Sequence, residues 1–237
     1  MSFLRSLFIS IPLIVLATIV FGFVSLCAAV VDRSGETSHR IARVWAKVLL
    51  AVSFIRVSAT GAEKLDPRGG YVFVANHASY MDIPALLLVL PQQFRFFAKR
   101  GLYRIPFLGW HLRLAGHLPV DRSNARNSLK SMTAGARAIE ARRISMLLFP
   151  EGGRQREGLQ AFREGAAYIA IKAGVPLVPV GIIGMRELLP MGSIHIRGGT
   201  VRIRVGQPIS TEGLQPAARA EVTERLYREM RSLTEES

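Results

Sequence analysis

The 237-residue chain predicts an α/β fold on three observations. Short apolar runs rich in β-formers alternate with helical stretches from about residue 70 to the end. Two of these runs, Tyr71–Ala75 and Ile144–Phe149, end in clusters of polar residues, as strands do when their carboxyl ends border a ligand crevice. One long apolar segment stands ahead of them all.

That segment, Leu7 to Val31, holds 25 residues without a charge. At about 1.5 Å per residue it reaches about 37 Å, enough for a hydrocarbon core of about 30 Å. It is also longer than a signal-peptide core of about 7–15 residues. Ser38–Phe54 reads as a second, amphipathic helix with Arg40, Arg43 and Lys47 punctuating its apolar positions. Residues 1–60 are thus expected to form a membrane anchor, made of a hydrophobic helix 7–31 and an amphipathic helix 38–54. A hairpin in one leaflet and a spanning helix both fit. Arg33, Arg40, Arg43 and Lys47 follow the apolar run and only Arg5 precedes it, so the main domain, 61–237, is expected on the cytoplasmic side.

After the turn Asp66-Pro-Arg-Gly-Gly70, Tyr71–Ala75 reads as a buried strand, and Ile83–Leu90 as a helix opened by Pro84. His77 then sits at the carboxyl end of the strand and Asp82 at the mouth of the helix. Residues five apart point about 140° away from each other on a helix. On a strand, an odd separation sets them on opposite faces. The two can meet only if the chain turns between them. Ser79–Asp82 also fits a capping box, in which Asp82 serves the helix start alone. Both readings stand on this stretch by itself.

Residues 94–113 interleave aromatic rings with Arg and Lys, which suits a membrane–water interface and would also suit single-stranded nucleic acid. Ser128–Arg142 reads as a helix and Ile144–Phe149 as a strand, followed by Pro150-Glu-Gly-Gly-Arg154. There Gly152 and Gly153 permit a tight turn and Arg154 offers a planar fork for phosphate oxygens. Ala161–Ala173 is a predicted helix. Val175–Ile182 is an apolar strand whose Pro179 belongs at an edge or a bulge. Val201, Ile203 and Val205 alternate with Arg202 and Arg204 as in a half-exposed strand, and a polar helix over 216–233 closes the chain.

The formal charge is +14, from 31 Lys and Arg against 17 Asp and Glu, which favours anionic partners: headgroups, phosphorylated substrates or nucleic acid. The lone Cys27 excludes an internal disulfide, and nothing in the spacing of His, Cys, Asp and Glu suggests a metal site.

Taken together, these stretches resemble the membrane glycerolipid acyltransferases, in particular the 1-acylglycerol-3-phosphate acyltransferases. The resemblance rests on four ordered blocks over about residues 70–182. They are Asn76-His77-Ala-Ser-Tyr-Met-Asp82; Lys99–Gly109 with Gly116–Arg122 following; Phe149-Pro-Glu-Gly-Gly-Arg154; and Val175-Pro-Leu-Val-Pro179-Val. Gly153 stands where the family usually carries Thr or Ser, and Phe162-Arg-Glu-Gly165 has an acid inserted into the usual basic-Gly sequence.

The resemblance implies a mixed sheet flanked by helices, preceded by the anchoring helix pair. It implies acyl transfer from acyl-CoA or acyl-carrier protein to the sn-2 hydroxyl of lysophosphatidic acid at a phospholipid bilayer, a bacterial inner membrane, with no cofactor. His77 would be the general base and Asp82 its orienting partner. Arg154, with Glu151 and Gly152, would bind the acceptor's phosphate, with Arg122 contributing and Lys99 a further candidate. Two other readings stay beside this one. The first is acylation of a different lysolipid, such as a lyso-ornithine lipid or lysophosphatidylethanolamine. The second is a membrane-tethered nucleic-acid-binding protein, which leaves the polar clusters after the two strands unexplained; no nucleic acid is expected. A lipid-binding module without catalysis is a third, against which the His77–Asp82 pair speaks.

Overall fold

The computed structural model of the protein describes residues 2–121, 124–153 and 158–235. Seven strands form one sheet: β1 (Ile55–Thr60), β2 (Val72–Ala75), β3 (Phe94–Lys99), β4 (Leu118–Val120), β5 (Ser145–Leu148), β6 (Leu177–Ile183) and β7 (Gly199–Val205). Their order is β1-β7-β6-β2-β5-β3-β4. Pairing is parallel except between β6 and β7, so the sheet is mixed.

The helices are α1 (Ser2–Arg5), α2 (Ile11–Val31), α3 (Glu36–Val52), α4 (Asp82–Val89), α5 (Leu108–Leu114), α6 (Ala125–Arg142), α7 (Gly165–Ala173), α8 (Met185–Leu188) and α9 (Arg219–Thr234). Alternation along the strands sorts the core into two layers. Phe73 and Ala75 of β2, with Leu147 and Val178, pack beneath α3 and α4. Val72 and Val74, with Met146 and Leu177, pack against α6, α7 and α9 on the other face. On β7, Val201, Ile203 and Val205 are buried while Arg202 is exposed, as the alternation predicts.

One element differs from the sequence reading, and another takes the second of the two positions that reading allowed. The helix expected from Ala161 begins at Gly165, because the Arg163 amide donates to the carbonyl of Pro150 and holds residues 161–164 along the turn after β5. Pro179 lies on an internal strand, not an edge. Its missing N–H is accommodated by a bulge: Val180 pairs with Val205 but Leu177 with Ile209, one residue out of register, and only the Pro179 carbonyl is bonded there, by the Gly206 amide.

At the amino terminus α1, a π-helical stretch (Ser6–Ser10) and α2 run on as one helix, Ser2–Val31. It alone among the described residues is long and apolar enough to cross a membrane. The second helix, α3, is amphipathic and buries Ala46, Leu49 and Leu50 on the domain. The long helix is fastened to the body at both ends. Near its start, the Ser6 hydroxyl donates to the Ile196 carbonyl and accepts from the Ile196 amide, both at 2.9 Å. Ser10 Oγ donates to Val52 O at 2.7 Å. At the far end the buried Arg95 donates from Nη2 to Ser34 O at 3.0 Å, across the turn into α3. Gly35 in that turn has φ of +72°, and a Cβ there would collide with the Arg95 guanidinium.

Replacing Ser6 by Ala leaves the buried amide of Ile196 without its acceptor, while the Ile196 carbonyl keeps the bond from Arg5 Nη2 at 3.2 Å; the lost partner costs about 1–3 kcal/mol. Thermal unfolding of the detergent-solubilised variant is expected to show a lower Tm; an unchanged Tm would mean that the helix is not docked there in solution.

Candidate active site

The carboxyl ends of β2, β5 and β6 meet at one end of the sheet. The chain leaves β2 towards β3 on one side and later returns to β6 on the other, so a crevice opens where the direction of winding reverses. Asn76 closes the gap between β2 and β6. Its Nδ2 donates to Ile182 O at 2.9 Å and its Oδ1 accepts from Ile182 N at 2.8 Å, continuing the strand pairing with a side chain.

The next residues turn sharply, and one carboxylate oxygen organises the turn. Asp82 Oδ2 accepts from Ala78 N, from Ser79 N and from His77 Nδ1, each at 2.8 Å. Asp82 is fully buried and His77 is 8% exposed. The sequence left Asp82 either capping the helix or meeting His77. It does meet His77, and its two backbone bonds hold the turn ahead of α4. Because the carboxylate accepts, the Nδ1 position carries a proton, and in the neutral imidazole the lone pair is then on Nε2. Among the described residues Nε2 has no hydrogen-bond partner, and His77 lines a cleft of about 230 Å³. The ring stacks on Phe149, centroids 3.9 Å apart, which fixes its plane.

Glu151 ties the β5 loop to the same place. Its Oε2 accepts from the His77 amide at 3.2 Å and its Oε1 from the Gln160 amide at 3.3 Å. Burial pushes its carboxyl above the ordinary range, and these two bonds and the charge of Arg186 only partly offset it. Gly152 turns the loop with φ of +84°, its amide donating to Phe149 O at 3.1 Å. At Gly153 a Cβ would meet nothing within 4 Å, so the space for the family's usual hydroxyl residue is present.

Other predicted residues fare differently. Lys99 ends β3, is exposed, and does not line the cleft, because β5 lies between β3 and β2. Arg122 and Arg154 lie outside the described residues. Sequence reasoning missed two features of the cleft: the Asn76 clamp on β6, and Arg186, which lines the cleft from the turn after β6. Neither has a local signal, since each acquires its position through strand pairing between distant segments.

A second, apolar cavity of about 700 Å³ lies between the amino-terminal helices and the domain. Gly22 and Leu26 of α2, Ala42 and Trp45 of α3, and Pro84 and Leu87 of α4 line it. Tyr80 and Ile83, which flank Asp82, line it too, so it comes close to the His77 turn. Of the aromatic residues in 94–110, Phe94, Phe96 and Phe107 contribute to its wall.

If Oδ2 organises the turn, Asp82→Asn should keep Tm within a few degrees, because an amide oxygen can receive the same three donors. Asp82→Ala leaves those buried donors unpaired and should destabilise by at least about 2 kcal/mol. Equal destabilisation of both variants in thermal unfolding would contradict this picture.

Comparison with known proteins adds three findings. The family model described as Acyltransferase matches residues 56–183. A 1-acyl-sn-glycerol-3-phosphate acyltransferase of Chlamydomonas reinhardtii is 33% identical over 97% of this chain and 68% of its own length. A chloroplastic 1-acyl-sn-glycerol-3-phosphate acyltransferase of Brassica napus is 34% identical over 72% of the chain and 50% of its own length. An Arabidopsis thaliana relative is covered to 48%, so the chain spans about half the length of these two plant relatives. Among solved structures, the 1-acyl-sn-glycerophosphate (LPA) acyltransferase of Thermotoga maritima superposes over 100% of both chains with a TM-score of 0.75 at 24% identity, which establishes the shared fold.

Proposed function

The chain belongs to the acyltransferase family, and from that premise we propose that it moves a fatty acyl group from an acyl thioester to the sn-2 hydroxyl of 1-acylglycerol-3-phosphate, giving phosphatidic acid. The observation that carries this reading is the His77 imidazole, its Nδ1–H held by Asp82 and its Nε2 open to the cleft.

His77 Nε2 takes the proton of the acceptor hydroxyl as the oxygen attacks the thioester carbonyl. Asp82 holds the ring in the required tautomer and stabilises the imidazolium that forms, while the substrate hydroxyl occupies the place a nucleophilic serine takes in a triad. Collapse of the tetrahedral intermediate breaks the C–S bond, and the departing sulfur recovers the proton from Nε2. The products are the ester and a free thiol, of coenzyme A or of acyl-carrier protein. No step calls for a resident cofactor.

Arg154, which follows Glu151 and Gly152 in sequence, is proposed to bind the acceptor's phosphate, with Arg122 and, at longer range, Lys99 drawing the anion in. Glu151 acts there by fixing the distance between the β2 and β5 loops. The acyl chain is proposed to lie in the 700 Å³ apolar cavity, which a lipid would enter from beside α2.

The proposed membrane-embedded part ends with α3 at Val52, short of the expected boundary at 60, because Ile55–Thr60 is β1 and pairs with β7 in the sheet. Because the long helix is bonded to the same body near Ser6 and at Ser34, it would lie in the membrane plane rather than cross it. Its exposed face carries Phe8, Leu16, Ile19, Phe23 and Val30, and Trp110 and Phe107 continue the apolar surface on α5. The cleft then faces the leaflet that supplies its lipid substrate, on the cytoplasmic side. Gly153 favours one alternative within the same chemistry, acylation of a different lysolipid, because the hydroxyl usual at that position is absent.

Purified protein supplied with lysophosphatidic acid and long-chain acyl-CoA or acyl-carrier protein is expected to release thiol and form phosphatidic acid in equal amounts. His77→Ala should lower the rate by about 10²–10⁴-fold with the fold retained by circular dichroism. Near wild-type turnover by a folded His77→Ala variant would rule out the general base. A panel of other lysolipids decides the acceptor.

The membrane reading is tested by Val20→Arg, on the exposed face of α2. Co-flotation with anionic phospholipid vesicles is expected to fall while the Tm holds; unchanged flotation would remove α2 from the membrane contact.

A further inference from the structure

The cleft beside His77 has one wall whose chemistry remains unassigned. It is the turn after β6, where Gly184, with φ of +86°, redirects the chain into α8 and Arg186 follows. Arg186 lines the cleft together with His77, Glu151 and Ile182. Its Nε is buried and has no hydrogen-bond partner, and its guanidinium forms no ion pair with any described residue. Buried polar nitrogens in folded proteins nearly always have an acceptor, so an arginine left this way beside a cleft calls for a ligand.

The neighbouring acids do not meet that demand. Glu151 gives one oxygen to the His77 amide and the other to the Gln160 amide. Asp82 gives Oδ2 to three donors of its own turn, and its buried Oδ1 has no hydrogen-bond partner among the described residues, Arg186 included. Glu187 is exposed at the rim, with its backbone carbonyl taken by Arg197. A guanidinium is a planar five-donor fork matched to two oxygens of a tetrahedral anion. The cleft, at about 230 Å³, has the scale of a polar headgroup rather than of a whole cofactor.

We propose that Arg186 binds a phosphoryl group of the substrate at the β6 wall of the cleft, and so selects for a phosphate-bearing substrate. Held by that guanidinium, the phosphate would be oriented so that the acceptor hydroxyl is presented to His77 Nε2. The proposal rests on the acyl-transfer reading for which substrate brings the phosphate. The anion site itself is independent of that reading. The phosphate is expected from the acceptor, and the donor's phosphopantetheine is the other source of the same chemistry.

The test uses full-length protein and the variants Arg186→Ala and Arg186→Lys, with KM measured separately for acceptor and donor. Saturation-transfer NMR with sn-glycerol 3-phosphate and with glycerol reports binding without turnover. Arg186→Ala is expected to raise the acceptor KM about tenfold or more, the usual loss for a hydrogen bond to a charged group, with kcat changed less than about threefold. Arg186→Lys should recover part of the loss, and glycerol binding should not change. A rise confined to the donor KM would keep the phosphoryl site and assign it to the donor. If wild type forms no phosphatidic acid yet loses glycerol 3-phosphate binding in Arg186→Ala, the acceptor reading fails and the anion site stands. A folded Arg186→Ala protein with both KM values and glycerol 3-phosphate binding unchanged overturns the proposal.

Discussion

The polar geometry of the cleft depends on a single oxygen, Oδ2 of Asp82. It is buried, and it receives three donors within one turn of chain. An isolated charge in such a place would be prohibitively costly, and the three hydrogen bonds make it tolerable. The same bonds bend the backbone after β2 so that His77 comes back over Asp82. Structural need and chemical use coincide in one group: what holds the turn also orients the imidazole.

The sheet places that turn where it can matter. β2 is the central strand, and the loops after β5 and β6 converge on its carboxyl end. Glu151 links the β5 loop to the His77 amide, and Asn76 links the end of β2 to β6. These cross-links make the positions of cleft residues depend on strand register. A one-residue slip of β6 would unpair Asn76 and move Arg186 away from His77. The bulge at Pro179 lies on the side of β6 that faces β7, so the register against β2 is undisturbed where the cleft begins.

Much of this was legible in the sequence, for local reasons. Val72–Ala75 and Ser145–Leu148 are apolar, β-rich and bounded by turn residues, and hydrophobic patterning reports such strands directly. His77 and Asp82 are five apart with a turn between them, so sequence alone could bring them within reach. What it could not supply is pairing between distant segments. Glu151 reaches the His77 amide across 74 residues and Asn76 reaches Ile182 across 106. The start of α7 differs for a similar reason: four residues with adequate helical character are kept out of the helix by the bond from the Arg163 amide to the Pro150 carbonyl. Lys99 belongs to a recognisable block, yet the strand order sets β5 between it and His77, and no local pattern encodes strand order.

The seating of the amino-terminal helix has a consequence for how the protein is made. Ser6 is synthesised ahead of its docking partner Ile196, which follows 190 residues later. At roughly 5–20 residues per second, synthesis leaves that helix without its seat for about 10–40 s. Throughout that interval a long apolar surface needs a solvent, and water is a poor one. A bilayer, or a chaperone standing in for it, must therefore receive the helix before the domain exists, and the body then assembles around a segment already in place. For this chain the helix is made before the sheet it docks on, and the last contacts to form are those that fasten the domain onto that earlier segment.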